Sequence, residues 1–229
     1  MHGTSETIQL EERTTAADSS IRRRVGRPSA REAERKHEAM LEAALEEFSS
    51  HGFHGASVRA IAERAGLSTR TLYNRYTDKA ALFAACLEMS ALQDVWEPQE
   101  RCAALQEQLI DFSIHMQGRL NQDRQVRLAR VIFRECTSFP QLEAISRYQF
   151  DRFQLAPVRQ ILEAHGFDAA QAKELGTTYV AMVFQKWQNR VIYGERPMTK
   201  AAIRRQAEVA TALFLRGAGE MRGDENGRN

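Results

Sequence analysis

Apolar side chains recur every three to four residues along most of the chain, which is the spacing of one face of an α-helix. No stretch keeps the two-residue alternation that is typical of a half-buried strand, and Ala, Leu, Glu, Arg and Gln dominate the sequence. The pattern predicts an all-α fold of nine helices. The predicted helices cover residues 30–50, 58–65, 69–76, 79–94, 99–118, 122–136, 140–165, 168–193 and 199–216.

Breaks in this pattern divide the chain into four parts. Residues 1–29 lack periodicity and are rich in Ser, Thr, Glu and Asp, which predicts a disordered arm with a basic cluster. Residues 30–78 hold three short helices around one small core, and residues 79–216 form a larger helical domain. Residues 217–229 are Gly-rich and charged, so we expect a flexible tail. Pro157 is expected to kink the seventh predicted helix.

The stretch from Ser57 to Tyr76 has the layout of two short helices joined by a tight turn. Apolar residues of the first helix fall at i, i+3, i+4 and i+7 from Val58, and Gly66 supplies the left-handed residue that ends it. Ser68 caps a second helix that is crowded with polar and basic side chains. A helix-turn-helix has this layout, and its second helix enters the major groove of DNA. Plain packing of a helical hairpin is the alternative interpretation, and the polarity of the second helix argues against it.

The polar side chains of this stretch are therefore candidates for DNA contact. Ser57, Tyr73 and Lys79 are expected to contact phosphates, with Lys79 helped by the free amides at the start of the fourth helix. Arg70 is the best candidate for reading a guanine, because a bidentate arginine contact to O6 and N7 is the commonest specific one. The other candidates are Arg59, Ser68, Thr69, Thr71, Asn74 and Tyr76.

A basic cluster at residues 22–28 precedes the first predicted helix. It contains Gly-Arg-Pro, which keeps the backbone narrow and extended and is similar to the core of AT-hook peptides. Arg24 and Arg27 are accordingly candidates for insertion into a narrow A·T minor groove, where the negative potential is enhanced. A solvated run of charges is the other interpretation of this cluster.

A family resemblance is carried by the run from Phe48 to Phe83. The elements Gly-Phe, Ser-Val-x-x-Ile-Ala, Ala-Gly-Leu-Ser, Leu-Tyr and Lys-x-x-Leu-Phe all occur at matching spacings. About residues 35–87 thus resemble the N-terminal domain of the TetR family of bacterial transcription regulators, which implies that Ser57, residues 69–76 and Lys79 face DNA. The family usually has Lys-Gly or Lys-Ala after the capping serine, whereas this chain has Thr-Arg, so its operator cannot be copied from relatives.

The resemblance also implies a homodimer, built on a four-helix bundle of the last two long helices of each subunit. The eighth predicted helix is apolar on two sides, which suits one side against the protein's own core and the other against a second subunit. Two recognition helices about 34 Å apart would then meet successive major grooves of a palindromic operator. The expected interface residues are Val180, Phe184, Trp187, Val191, Ile203, Ala207, Ala210 and Phe214.

A small-molecule effector pocket in the larger domain is a further implication of the resemblance. Its aromatic and methionine candidates suit an apolar or aromatic effector. A packed core is the other interpretation of the set, and a satisfied structural histidine is that of His115. The candidates are Phe112, His115, Met116, Phe133, Cys136, Phe139, Tyr148, Phe153, Tyr179 and Met182.

Composition narrows the classes of function. The net charge is only +2, so affinity for DNA has to come from local charge. No apolar run approaches the roughly 18 residues of a membrane span, and the N-terminus has no apolar signal segment, so we expect a cytoplasmic protein with no membrane partner. Three widely spaced cysteines indicate a reducing compartment.

No catalytic or metal motif follows residue 99, and the His51–His54 pair lacks a third ligand. We therefore expect neither an enzyme nor a cofactor. A redox role for Cys136 would need a lowered thiol pKa, and an inert buried cysteine is the simpler interpretation. The leading hypothesis is a ligand-responsive repressor. The alternatives are an activator, or an effector-independent DNA-binding protein of the same fold with an architectural or division-linked role.

Overall fold

The computed structural model describes residues 30–97 and 104–225. These residues form helices and connecting turns, without a strand among them. The helices are α1 (Ala30–Gly55), α2 (Val58–Arg64), α3 (Thr69–Tyr73), α4 (Lys79–Leu92), α5 (Leu105–Leu120), α6 (Asp123–Glu135), α7 (Pro140–Phe150), α8 (Ala156–Ala164), α9 (Ala169–Tyr193) and α10 (Lys200–Glu225). The all-α prediction is confirmed, and the described chain has nine helices when α7 and α8 count as one interrupted helix.

The interruption between α7 and α8 is a π-helical turn over Asp151–Leu155, and Pro157 lies in the first turn of α8. Proline has no N–H, and its ring clashes with the carbonyl four residues earlier, so the helix widens in the turn that precedes it. The predicted break is present, and it takes the form of a wider helical turn.

The last helix continues to Glu225, so the prediction that it ends at Arg216 was wrong. Ala218 is buried against the hydrophobic core, and this packing outweighs the weak helix preference of the neighbouring glycines. The predicted tail is therefore helical over residues 217–225, and residues 226–229 lie outside the described residues.

Two hydrophobic clusters hold the chain together. The first, which we call the head core, joins α1 to α4 through Phe48, Phe53, Leu72 and Phe83, and it also takes in Leu128, Val131 and Leu142 from α6 and α7. The rings of Phe48 and Phe83 meet edge to face, with centroids 4.9 Å apart. Helices that follow the predicted boundary at residue 78 thus complete the core of the N-terminal helices.

The second cluster, the body core, joins α5, α8, α9 and α10. Tyr179 lies at its centre, where the phenol hydroxyl meets Ser113 Oγ at 2.7 Å and Thr211 Oγ1 at 2.7 Å and donates to the carbonyl of Leu109 at 2.9 Å. None of the described helices is both long enough and apolar enough to cross a lipid bilayer.

Candidate DNA interface and effector cavity

Two serine caps and one glycine shape the segment from α2 to α3. The Ser57 hydroxyl accepts from the amide of Ala60 at 3.3 Å and starts α2, and the Ser68 hydroxyl accepts from the amide of Thr71 at 3.1 Å and starts α3. Gly66 adopts a φ of 65°, which only glycine adopts without strain, and this turns the chain between the two helices.

Helix α3 is anchored to the head core by one side chain, Leu72, which is only 1% exposed. The polar side chains around it point away from the core and are exposed. Neither a hydrogen bond nor an ion pair engages the Arg70 guanidinium within the described ranges, whereas Arg59 on α2 pairs with Glu63 at 2.8 Å. The exposed set consists of Thr69, Arg70, Thr71, Tyr73, Asn74 and Arg75.

The polar groups of Tyr76 and Lys79 form hydrogen bonds within the N-terminal helices. The Tyr76 hydroxyl lies 2.6 Å from His37 Nε2, and burial raises the pKa of its phenol. The Lys79 ammonium donates to the carbonyls of His54 at 3.0 Å and Ala56 at 3.3 Å, which leaves one of its three N–H donors for another partner. A phosphate contact through Lys79 stays a prediction, and Tyr76 joins the end of the α3 segment to α1.

Two glutamates that sequence reasoning missed position the turn that leads into α2. Glu47 is only 4% exposed and accepts from the amide of Ser57 at 3.2 Å. Glu135, at the end of α6, accepts from the amides of Phe53 at 3.1 Å and His54 at 2.7 Å. Because Glu135 is about 80 residues away from its partners in the chain, no local pattern could have revealed this contact.

A cavity of about 320 Å³ opens between α4, α5, α6, α9 and the segment from α7 to the π-helical turn. Its walls are mainly apolar. A second cavity of about 260 Å³ shares Arg119 and Phe153 with it. The main apolar side chains of the first cavity are Leu87, Leu128, Phe133, Phe150, Phe153 and Trp187.

The structure places few of the predicted pocket residues at these cavities. Phe133 and Phe153 line the first, Phe153 and Met116 line the second, and Tyr148 lines only a shallow groove beside α4. The remaining candidates line neither cavity, because their side chains pack elsewhere. Phe112 and Tyr179 are in the body core, Met182 packs against it, His115 contacts the carbonyl of Asp94, Phe139 packs on Phe53, and Cys136 lies at the end of α6.

Arg119 is the polar residue of the cavity that sequence reasoning missed. It is only 9% exposed, and its Nη1 donates to the carbonyls of Ala91 at 3.0 Å and Asp94 at 3.3 Å. Burial lowers the pKa of its guanidinium. The sequence did carry a signal, because Arg119 follows Phe112 by seven residues and Met116 by three, which puts a charge on the apolar face of α5.

The residues predicted for the dimer interface are buried within the chain itself, so that assignment was wrong. Each is at most 9% exposed, because the apolar faces of α9 and α10 pack on each other and on α5 and α8. Trp187 also lines the cavity and donates its indole N–H to the carbonyl of Leu120 at 3.0 Å. The corrected residues are Val180, Phe184, Trp187, Val191, Ile203, Ala207, Ala210 and Phe214.

Other apolar side chains of α9 and α10 face solvent. Val209 and Leu213 on α10 are 50% and 57% exposed, and Ile192 on α9 is 55% exposed. Within the described residues, the His, Cys, Asp and Glu side chains do not gather in any group of three that could hold a metal ion. Arg24 and Arg27 lie outside the described residues, so the minor-groove arm stays a prediction.

Comparison with known proteins bears on the N-terminal helices and on the fold. Residues 40–86 match the family described as bacterial regulatory proteins, tetR family. The regulator RutR of Escherichia coli K12 is 43% identical over 61 residues, which are 27% of this chain and 28% of RutR. UidR of the same organism is 41% identical over 73 residues, which are 32% of this chain and 33% of UidR. The chain thus matches a third or less of the length of these curated relatives.

Solved structures extend the likeness to most of the chain. The flavonoid-responsive regulator FrrA is 26% identical, with a TM-score of 0.65 over 80% of this chain and 97% of FrrA. A TetR-family regulator from Mesorhizobium loti, at 21% identity, shares the fold, with a TM-score of 0.63 over 80% of this chain and 96% of that one.

Proposed function

We propose that this chain, whose residues 40–86 match the tetR family of bacterial regulatory proteins, is a homodimeric transcriptional repressor that binds a palindromic DNA operator and is released by a small effector. The observation that carries the proposal is the set of exposed polar side chains on α3. Leu72 is the single buried residue of α3, so nearly the whole surface of this helix is exposed to solvent. Such exposure suits insertion into a major groove.

Within this proposal, α3 reads the bases and the surrounding serine and basic groups bind phosphates. The Arg70 guanidinium is the group best suited to a guanine, since it has no hydrogen-bond or ion-pair partner among the described residues that it would lose on turning toward DNA. Thr69, Thr71 and Asn74 complete the reading surface. The Thr71 hydroxyl also lies 2.8 Å from the Ser68 hydroxyl, so its orientation is set before DNA arrives.

The DNA-binding role is tested with Arg70→Ala. The operator is first selected from random oligonucleotides, and affinity is then measured by fluorescence anisotropy on the selected and on a scrambled duplex. We expect Arg70→Ala to lose about 1–3 kcal/mol on the selected duplex and little on the scrambled one. Arg196→Ala, in the exposed segment between α9 and α10, is the matched control and should leave both affinities unchanged. Equal losses on the two duplexes would contradict base reading by Arg70.

The dimer is proposed to form through the solvent-facing sides of α9 and α10. Val209 and Leu213 are four residues apart and therefore share one face of α10, and both are at least half exposed in the single chain, as is Ile192 on α9. We expect Leu213→Glu to convert the dimer to a monomer in analytical ultracentrifugation, with an unchanged circular dichroism spectrum. A dimer that survives Leu213→Glu would place the interface elsewhere.

Effector response is supported by the cavity, whose volume lies in the range of small-molecule sites. Ligand binding in the cavity would favour one spacing of the two α3 helices of the dimer over another and so lower the affinity for the operator. A thermal-shift screen of small molecules, followed by operator binding with each stabiliser, tests this role. Intact operator binding without any stabiliser would favour an effector-independent DNA-binding protein, and a promoter–reporter assay would distinguish repression from activation.

A further inference from the structure

We propose that the effector is an amphipathic anion, with an apolar or aromatic body and one carboxylate, and that Arg119 holds this carboxylate. The inference rests on the proposed effector response and specifies the chemistry of the same cavity. It depends on three features of the described residues: a buried cation that lacks an acidic partner, a cavity wall without acidic residues, and an unpaired hydrogen-bond acceptor beside them.

The first feature is the state of Arg119. Its guanidinium meets two backbone carbonyls through Nη1, while its Nε–H is buried and has no hydrogen-bond partner. No carboxylate lies within 4.0 Å of it in the described ranges. Asp94, whose charge favours the charged form of Arg119, instead directs its Oδ1 toward His115 Nε2 at 3.5 Å. An arginine stays charged even when buried, and an anion in direct hydrogen-bond contact would stabilise that charge.

The second feature is the charge of the walls. Arg119, Arg147 and Arg152 each line one or both cavities, and neither lining includes an Asp or a Glu. Arg147 and Arg152 are already paired, with Glu143 and Glu88 respectively. Arg119 is therefore the arginine of these three whose guanidinium still has an N–H group, Nε–H, available for a ligand. A single open fork suits a single carboxylate, which an arginine binds through two parallel hydrogen bonds.

The third feature is Gln154 on the π-helical turn. It lines the first cavity, and its side-chain oxygen is buried without a donor. A hydroxyl or amide N–H on the ligand body would satisfy this acceptor. Gln117 also has unpaired side-chain atoms, but it lines neither cavity and points to no ligand. The remaining walls, among them Phe133, Phe153 and Trp187, suit the apolar body.

A purely structural role is the competing explanation for Arg119, because its Nη1 ties α5 to the end of α4. That role would make any substitution at Arg119 destabilising without making the cavity prefer anions. The two explanations therefore differ in ligand preference and not in stability. The experiment has to compare a carboxylate with a neutral molecule of the same shape.

The probes are benzoate, 2-naphthoate and decanoate, each paired with its primary amide, and binding to the full chain is measured by isothermal titration calorimetry. We expect at least one acid to bind roughly 10- to 100-fold more tightly than its amide, as two charge-assisted hydrogen bonds allow. Arg119→Met should abolish this preference while the amide still binds. Arg119→Lys should keep part of it. Arg127→Met is the matched control, because Arg127 on α6 lies outside both cavity linings, and it should keep all of the preference.

An equal affinity for acid and amide, or a preference that survives in folded Arg119→Met, would overturn the inference. So would the failure of all six probes to bind a protein that still binds its operator. Circular dichroism checks that each variant is folded. If Arg119→Met does not fold, the comparison of wild type with Arg119→Lys provides the test. The proposed function fails by a different result, namely wild-type protein that selects no DNA sequence.

Discussion

Glu135 connects the cavity-lining helix α6 to the end of α1, just after the break at Gly52 and before α2, and its replacement by alanine is expected to loosen that segment. Its carboxylate accepts from the amides of Phe53 and His54, immediately after Gly52. Hydrogen bonds to a charged group contribute about 1.5–3 kcal/mol each. Water can replace the partner of the exposed His54 amide, so we expect a net loss of about 2 kcal/mol for Glu135→Ala. Glu135→Gln keeps one acceptor oxygen and should lose about half of that.

Gly52 makes the test sharper because it lies against the same carboxylate. Its φ of 76° and ψ of 174° are strained for any other residue, at a cost of about 1–3 kcal/mol. A Cβ at this position would also stand 2.5 Å from Glu135 Oε1, so Gly52→Ala must displace the carboxylate. Once Glu135 is alanine, the clash is gone and only the strain remains. The double variant should therefore lose about 1 kcal/mol less than the sum of the single losses.

The free energy of unfolding is measured for the wild type and the four variants by urea titration, followed by far-ultraviolet circular dichroism. Glu163→Ala, at an exposed position of α8, is the control and should stay within about 0.5 kcal/mol of the wild type. Single losses that add to within about 0.3–0.5 kcal/mol would refute the shared contact. A Glu135→Ala protein as stable as the wild type would refute the role of the carboxylate altogether.

Two further predictions concern buried polar contacts. Tyr179→Phe should lower the free energy of unfolding by about 1–3 kcal/mol, because Ser113 and Thr211 lose a buried partner, and an unchanged thermal midpoint would contradict this. His37 has a pKa below its ordinary value of 6.5, chiefly through burial and then through the charge of Arg75. The unfolded chain therefore binds a proton at His37 more readily than the folded chain does. The contribution of neutral His37 to stability is complete above pH 6.5 and is lost as the pH falls toward the lower pKa of the folded state. Urea midpoints at about pH 5.5 and 7.5 should differ less in His37→Gln than in the wild type, and an identical difference would exclude His37 as the cause.

The helices themselves could be predicted from the sequence because their signals are local. Ser68 was expected to cap a helix, and its side chain accepts from an amide in the first turn of α3. Ser57, Asp78 and Asp168 are residue types that favour the same position, and their side chains cap α2, α4 and α9 in the same way. Gly66 ends α2 in the left-handed conformation that its position required. Caps and helix-ending glycines depend on residues within four positions of one another, so the sequence alone predicts them. The polar composition of α3 is visible in the same stretch of sequence, whereas its exposure depends on how Leu72 packs in the head core.

What only the tertiary structure decided is which partner each apolar face meets. Helix α9 is apolar on two sides, and periodicity could not say that both sides, including Val180 and Phe184, pack within one chain. The continuation of α10 past Arg216 depends on Ala218 finding a place in the body core. The position of Arg119 on the apolar face of α5 is visible in the sequence, but its contacts with the carbonyls of Ala91 and Asp94 depend on how the helices pack. The contact of Glu135 with the amide of Phe53 likewise joins residues about 80 positions apart. Burial and pairing are properties of the packed chain, and a linear pattern encodes them only through the fold that it produces.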